Sequence, residues 1–201
     1  MMHQGFVDLA EYIPGLQVDA RYAGYHNLVG EPLDGYRANK AYIARKAADA
    51  LKKAVEAFAQ LGYGVLVYDA YRPQKAVDHF VRWAAVPETG EMKAEFYPDI
   101  EKEQLFPLGY IAKRSGHTRG ATVDLTLTKD GVPVDMGTDF DWMMDKSHHG
   151  IDGLTGEQEC NRALLRGVMC WAGFRPIEGE WWHYTLMTEP YPDTYFDFDI
   201  E

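Results

Sequence analysis

Apolar residues recur along this chain with two different periods. Between positions 39 and 61, Ile43, Ala47, Ala50, Leu51, Ala54, Val55, Phe58 and Leu61 fall at helical spacing, and Arg45, Lys46, Lys52, Lys53 and Glu56 take the opposite face. The spacing predicts a helix over 39–61, with Asn39 as its N-cap and Gly62 as its stop. A second helix is predicted over 74–85, where Ala76, Val77, Phe80, Val81 and Ala84 form an inner stripe behind Pro73. A third is predicted over 157–173 from Leu164, Leu165, Val168, Met169 and Trp171. Thr155 and Gln158 stand ahead of it at capping-box spacing, and Gly173 closes it.

The other period is two. From Ala121 to Leu127, strict alternation puts Ala121, Val123, Leu125 and Leu127 on one face of a strand and Thr122, Asp124 and Thr126 on the other. A buried strand is predicted within 63–71 through Val65-Leu66-Val67-Tyr68, and a final strand over 181–187. Residues 1–38 carry turn signals at Pro14-Gly15, Gly30 and Asp34-Gly35, and such a loop-rich segment suits a pocket wall. The acidic, aromatic tail from 190 to 201 is expected to lie across the surface. Helices and strands mix without a βαβ cadence. The expected fold is therefore α+β, a single domain over 1–201 with a mostly antiparallel central sheet flanked by helices.

Composition narrows the function classes. A chain of 201 residues buries a sizeable core unaided. A net charge of −11 argues against nucleic-acid binding and against adhesion to an anionic membrane. The two cysteines, Cys160 and Cys170, are separated by about 15 Å along a helix, beyond disulfide reach. They read as free, core-facing thiols, which fits a reducing compartment. The first twelve residues include Asp8 and Glu11 and do not read as a secretory signal. With no run of about 18 apolar residues, no membrane span is expected, and the simplest location is the cytoplasm. These features do not set an oligomeric state.

Two short segments carry chemistry. In Ser115-Gly116-His117-Thr118-Arg119-Gly120-Ala121-Thr122-Val123-Asp124, a histidine precedes a strand carboxylate by seven residues. On one straight strand the two would face opposite ways, so His117 belongs in the turn, with a bend near Gly120 to bring the side chains together. In Glu178-Gly179-Glu180-Trp181-Trp182-His183, an acid stands three residues before a histidine. If the aromatics form a strand, Glu180 belongs in its turn and His183 in the strand proper. Taken singly, each residue has a structural reading: a loop histidine, a turn-capping or Arg119-paired Asp124, a core His183, a solvated Glu180. Taken together they offer two imidazoles, one ligating carboxylate and one spare carboxylate. Catalytic zinc uses three such ligands and keeps a position open, and the spare acid can move protons for metal-assisted peptide hydrolysis. His148-His149 is a rival pair, but adjacent histidines seldom face one metal, and His148 reads as an outer partner.

These two segments resemble the paired motifs of the zinc D-Ala-D-Ala peptidase family, Ser-x-His-x-x-Gly-x-Ala/Thr-x-Asp followed downstream by Glu-x-x-His. The dipeptidase branch, found in vancomycin-resistance clusters and bacterial relatives, is the most similar. Asp19-Ala20-Arg21-Tyr22-Ala23, Tyr68-Asp69-Ala70-Tyr71-Arg72-Pro73, Asp135 to Asp141 and Ser147-His148 carry that likeness across most of the chain. The resemblance implies one zinc per chain on His117, Asp124 and His183, Glu180 as general base, and Arg72 on the scissile carbonyl oxygen. It further implies that Ser115, Tyr22 and Asp141 contact the charged ends of a small dipeptide. Taken alone, Arg72 reads as a structural partner of Asp69. Two rivals remain open: a D,D-carboxypeptidase or endopeptidase with the same zinc site, and a zinc-binding module without catalysis. Glu180 bears on the second, because a purely binding site has no need of a proton-handling acid.

Overall fold

The computed structural model describes residues 2–201. In chain order the elements are β1 (Phe6–Asp8), a one-turn helix α1 (Leu9–Tyr12), β2 (Gln17–Val18), β3 (Tyr42–Ala44), α2 (Arg45–Gln60), β4 (Gly64–Asp69), α3 (Gln74–Ala84), a short α4 (Lys93–Phe96), β5 (Thr122–Lys129), β6 (Val132–Pro133), α5 (Gly156–Trp171), β7 (Phe174–Ile177) and β8 (Glu180–Leu186). The main sheet runs β2-β4-β5-β8-β7, with β6 also paired to β5, while β1 and β3 form a separate ribbon. Every pairing except the parallel β2–β4 edge is antiparallel. The fold is α+β with a mostly antiparallel sheet flanked by helices, as the periodicities predict.

Helices α2 and α5 contact each other and the sheet. Helix α2 buries Ala47, Ala48, Leu51, Ala54 and Phe58, and α5 buries Leu165 and Met169. Val123 on β5 and Tyr184 on β8 are cross-strand partners on the face toward α5. Asp124 and His183, one residue along each strand, point the opposite way. The sheet thus has one face for packing and one for chemistry.

Several local expectations give way. The first helix begins at Arg45, not residue 39, because Tyr42-Ile43-Ala44 is buried throughout and pairs with β1. Asn39 caps no helix; its Oδ1 accepts the Ala20 amide at 2.7 Å. The capping box of Thr155 and Gln158 is present on α5. Cys160 and Cys170, however, are exposed rather than core-facing. Each lies five residues from buried Leu165, about 140° around the helix from the inner stripe. Trp171 also points outward, at 70% exposed. The tail does not merely cross the surface: Phe198 stacks on Tyr71 with ring centroids 4.2 Å apart, and Ile200 is fully buried beside Tyr36. Among the described residues, no helix is long and apolar enough to cross a membrane.

Candidate active site

The register of three strands lines up three polar residues. Asp124 on β5 pairs with His183 on β8 at one side and with Asp69 on β4 at the other. His117 reaches the same point from a 3-10 turn, His117–Arg119, just ahead of β5. Gly120 makes that turn possible. It adopts φ +73°, its amide closes onto the His117 carbonyl at 2.9 Å, and a Cβ there would stand 2.3 Å from the Phe6 ring.

Glu180 departs from expectation in position but not in proximity. It is the first residue of β8, and the turn is Glu178-Gly179. Pairing with β7 slips at this point, so that Pro176 faces Tyr184 but the next residue, Ile177, faces Glu180. Such an irregularity re-aims side chains that would otherwise alternate. Glu180 Oε2 accordingly lies 3.4 Å from His183 Nδ1, although the two are three residues apart.

The hydrogen-bond pattern sets the protons. His117 Nδ1 is 2.6 Å from the Ala70 carbonyl, which can only accept, so Nδ1 carries the hydrogen and Nε2 offers a lone pair. That lone pair faces Asp124 Oδ2 at 3.2 Å and His183 Nδ1 at 3.3 Å. Asp124 Oδ1 is buried without a hydrogen-bond partner and lies 3.1 Å from His183 Nδ1. Electron-rich atoms converge here, with one donor atom from each of the three residues within 4.8 Å of the others. The arrangement fits a divalent cation bound by two imidazoles and a carboxylate.

The surrounding charges are strongly perturbed. Burial opposes ionisation of Asp124, yet His117 and His183 hold its carboxyl below the usual range. Burial pushes Glu180 up, against the pull of His183, and raises Asp69 against Arg72 and His117. Burial also disfavours charge on His183, but the nearby Asp124 carboxylate and Glu180 raise it overall. Asp141 is pushed up to about 8 by burial, even though the Tyr22 hydroxyl donates to it at 2.6 Å. Arg72 donates to Asp69 at 2.9 Å, comes within 3.8 Å of Asp124, and lies 4.7 Å from the centre of the Tyr22 ring. Its structural pairing with Asp69 is therefore made while the guanidinium still borders the pocket.

That pocket has a volume of about 170 Å³ and is lined by all eight residues singled out from the sequence. Tyr22 and Leu28 bring the loop-rich first 38 residues into its wall. Ser115 Oγ accepts the His117 amide at 3.2 Å. His148 stands outside, its Nε2 3.5 Å from the Tyr110 hydroxyl. Three features were not anticipated: the Ala70 carbonyl that orients His117, the Tyr36 hydroxyl that donates to Asp69 at 2.6 Å, and the ring of Tyr110. Nothing in the local sequence marks Tyr110, which lies in a turn-rich stretch.

A small pocket with a triad that fits a cation and a spare acid beside it suits metal-assisted hydrolysis, the chemistry of metallopeptidases. A family described as Peptidase_M15, D-ala-D-ala dipeptidase, matches residues 2–201. Curated relatives match over nearly their full length. The D-alanyl-D-alanine dipeptidase of Enterococcus faecalis is 46% identical, covering 99% of this chain and 100% of the relative. That of Streptomyces coelicolor is 47% identical over 97% and 96%, and that of Enterococcus faecium 43% over 100% of both. The chain belongs to the D-Ala-D-Ala dipeptidase family of peptidases.

Proposed function

We propose that this protein hydrolyses the dipeptide D-alanyl-D-alanine to two D-alanines with one zinc per chain, held by His117, Asp124 and His183. The observation that carries the reading is the convergence of the His117 Nε2 lone pair, the unpartnered Asp124 Oδ1 and His183 Nδ1 beside Glu180. Bound there, zinc supplies a Lewis acid that acidifies water and polarises a carbonyl.

The side chains do the rest. Glu180 takes a proton from the attacking water and returns it to the leaving amine nitrogen, and its raised pKa suits both steps. Arg72, fixed by Asp69 and Tyr22, meets the carbonyl oxygen as negative charge grows on it. Asp141 holds the substrate ammonium. The Tyr22 hydroxyl is already committed to Asp141, so Tyr22 orients that acid rather than gripping the carboxylate. Ser115 remains for the carboxylate end. The volume of about 170 Å³ lies below the roughly 300–1,000 Å³ of sites for drug-sized ligands, in keeping with a dipeptide.

The test is metal content and D-Ala-D-Ala hydrolysis of the wild type and Glu180→Ala. One zinc is expected in both, with turnover confined to the wild type. Loss of zinc from Glu180→Ala would make Glu180 a ligand. An inactive zinc-loaded wild type would overturn the dipeptidase assignment.

A further inference from the structure

A second space opens beside the pocket. It is a groove of about 580 Å³ that shares Gly109, Tyr110, Ile177 and Glu180 with it. These four residues border both spaces. Of their side chains, that of Tyr110 is the largest, and it is half-buried rather than free. His148 stands behind it, with ring centroids 6.4 Å apart and Nε2 3.5 Å from its hydroxyl. His148 is anchored in turn: its amide donates to the Asp145 carbonyl at 2.9 Å, and its carbonyl accepts from Arg162 at 3.0 Å.

The groove has a chemical direction. Asp99, Asp145 and Glu180 line it, and no lysine or arginine does. Leu108 and Ile177, 57% and 41% exposed, add apolar rim. The cations of the inner pocket, Arg72 and Arg114, do not border the groove. A peptide lying through both spaces would therefore put its amino end in the acidic groove and its carboxylate in the inner pocket.

Given the dipeptidase reading, on which this rests, we infer that Tyr110, braced by His148, is the partition that confines the site to dipeptides. The groove beyond it is sized and charged for residues that precede a D-Ala-D-Ala end. With the partition removed, the bond cleaved is unchanged. The amide C–N bond breaks, the water oxygen and one proton end on the new carboxyl group, and the other proton passes to the amine of the departing D-alanine.

The zinc-loaded wild type, Tyr110→Ala, Tyr110→Phe and His148→Ala are compared on D-Ala-D-Ala and on Gly-D-Ala-D-Ala, whose free ammonium would reach the groove. The readout is the tripeptide-to-dipeptide ratio of kcat/KM, which a merely structural loss would leave unchanged. The ratio is expected to be low in the wild type and Tyr110→Phe, and to rise by about tenfold or more in Tyr110→Ala, chiefly through the tripeptide KM. A smaller rise is expected in His148→Ala, which carries the test if Tyr110→Ala does not fold. An unchanged ratio in the alanine variants, or efficient tripeptide cleavage by the wild type, overturns the partition while leaving the dipeptidase reading intact. No dipeptide cleavage by the wild type overturns both.

Discussion

Arg72 answers two demands with one guanidinium. Its Nε donates to Asp69 at 2.9 Å, and its face covers Tyr22 and Phe80 at 4.7 and 5.4 Å from the ring centres. Burial works against its charge, but Tyr22, Asp69, Tyr36 and Asp124 hold the pKa well above the ordinary value. A planar fork can bond sideways to an acid and still present an edge to the pocket; a lysine ammonium is a single point. Arg72→Lys is therefore expected to keep zinc and bind the dipeptide with little change in KM, while kcat falls by about 10²-fold. Steady-state kinetics beside metal analysis checks this, and a kcat close to wild type would leave Arg72 with its structural pairing alone. Taken alone, the sequence favoured the structural pairing of Arg72, and only the family resemblance implied the carbonyl role. Only the register of β4 against β5 brings Asp69 and Asp124 side by side beneath it.

At the scale of elements, periodicity read the strands and helices well but missed features fixed by distant partners. The alternation in β5 and the capping box of α5 are local, and both were legible. The start of α2 was not, because Tyr42-Ile43-Ala44 becomes a strand only through pairing with β1. The placing of Glu180 failed similarly, since the slip that re-aims it belongs to the β7–β8 pair. The bend at Gly120 was legible because glycine marks unusual backbone. It also predicts a contrast. Gly62 and Gly120 both have positive φ, +82° and +73°, but a Cβ at Gly62 meets nothing within 4 Å, whereas one at Gly120 strikes Phe6. Gly62→Ala should cost about 1 kcal/mol from backbone strain, and Gly120→Ala roughly 2–4 kcal/mol once overpacking is added. Gly120→Ala should also weaken zinc binding, because the turn it disturbs carries His117. Urea denaturation and metal titration of both variants would test this; equal stability losses would contradict the role given to the Phe6 contact.

Across the whole molecule, His149 ties together parts that the sequence keeps apart. Its amide donates to the Glu178 carbonyl at 2.9 Å, joining the loop after β6 to the hairpin that carries Glu180. Its ring lies near Tyr184 on β8 and the α5 arginines, and its Nε2 is buried without a partner. Burial first, then Arg166 and Arg162, push its pKa down to about 4 against the opposing pull of Glu178. An unfolded histidine titrates near 6.5. Between about pH 6.5 and 4 the unfolded chain thus binds the proton that the folded ring refuses, so falling pH favours unfolding. The stability is whole above the unfolded pKa and is lost as pH drops toward the folded one. Since water reaches part of the ring, a loss of about 1–2 kcal/mol is expected rather than the full linkage value. His149→Gln removes this titration and leaves the acids of the active site in place. Their pH dependence, including that of Asp141, therefore cancels between the two proteins. In urea denaturation at pH 7 and pH 5, the wild type should lose more stability than His149→Gln. Parallel losses would mean that the folded ring accepts its proton, and that the junction of loop, hairpin and helix is not the acid-sensitive point of the fold.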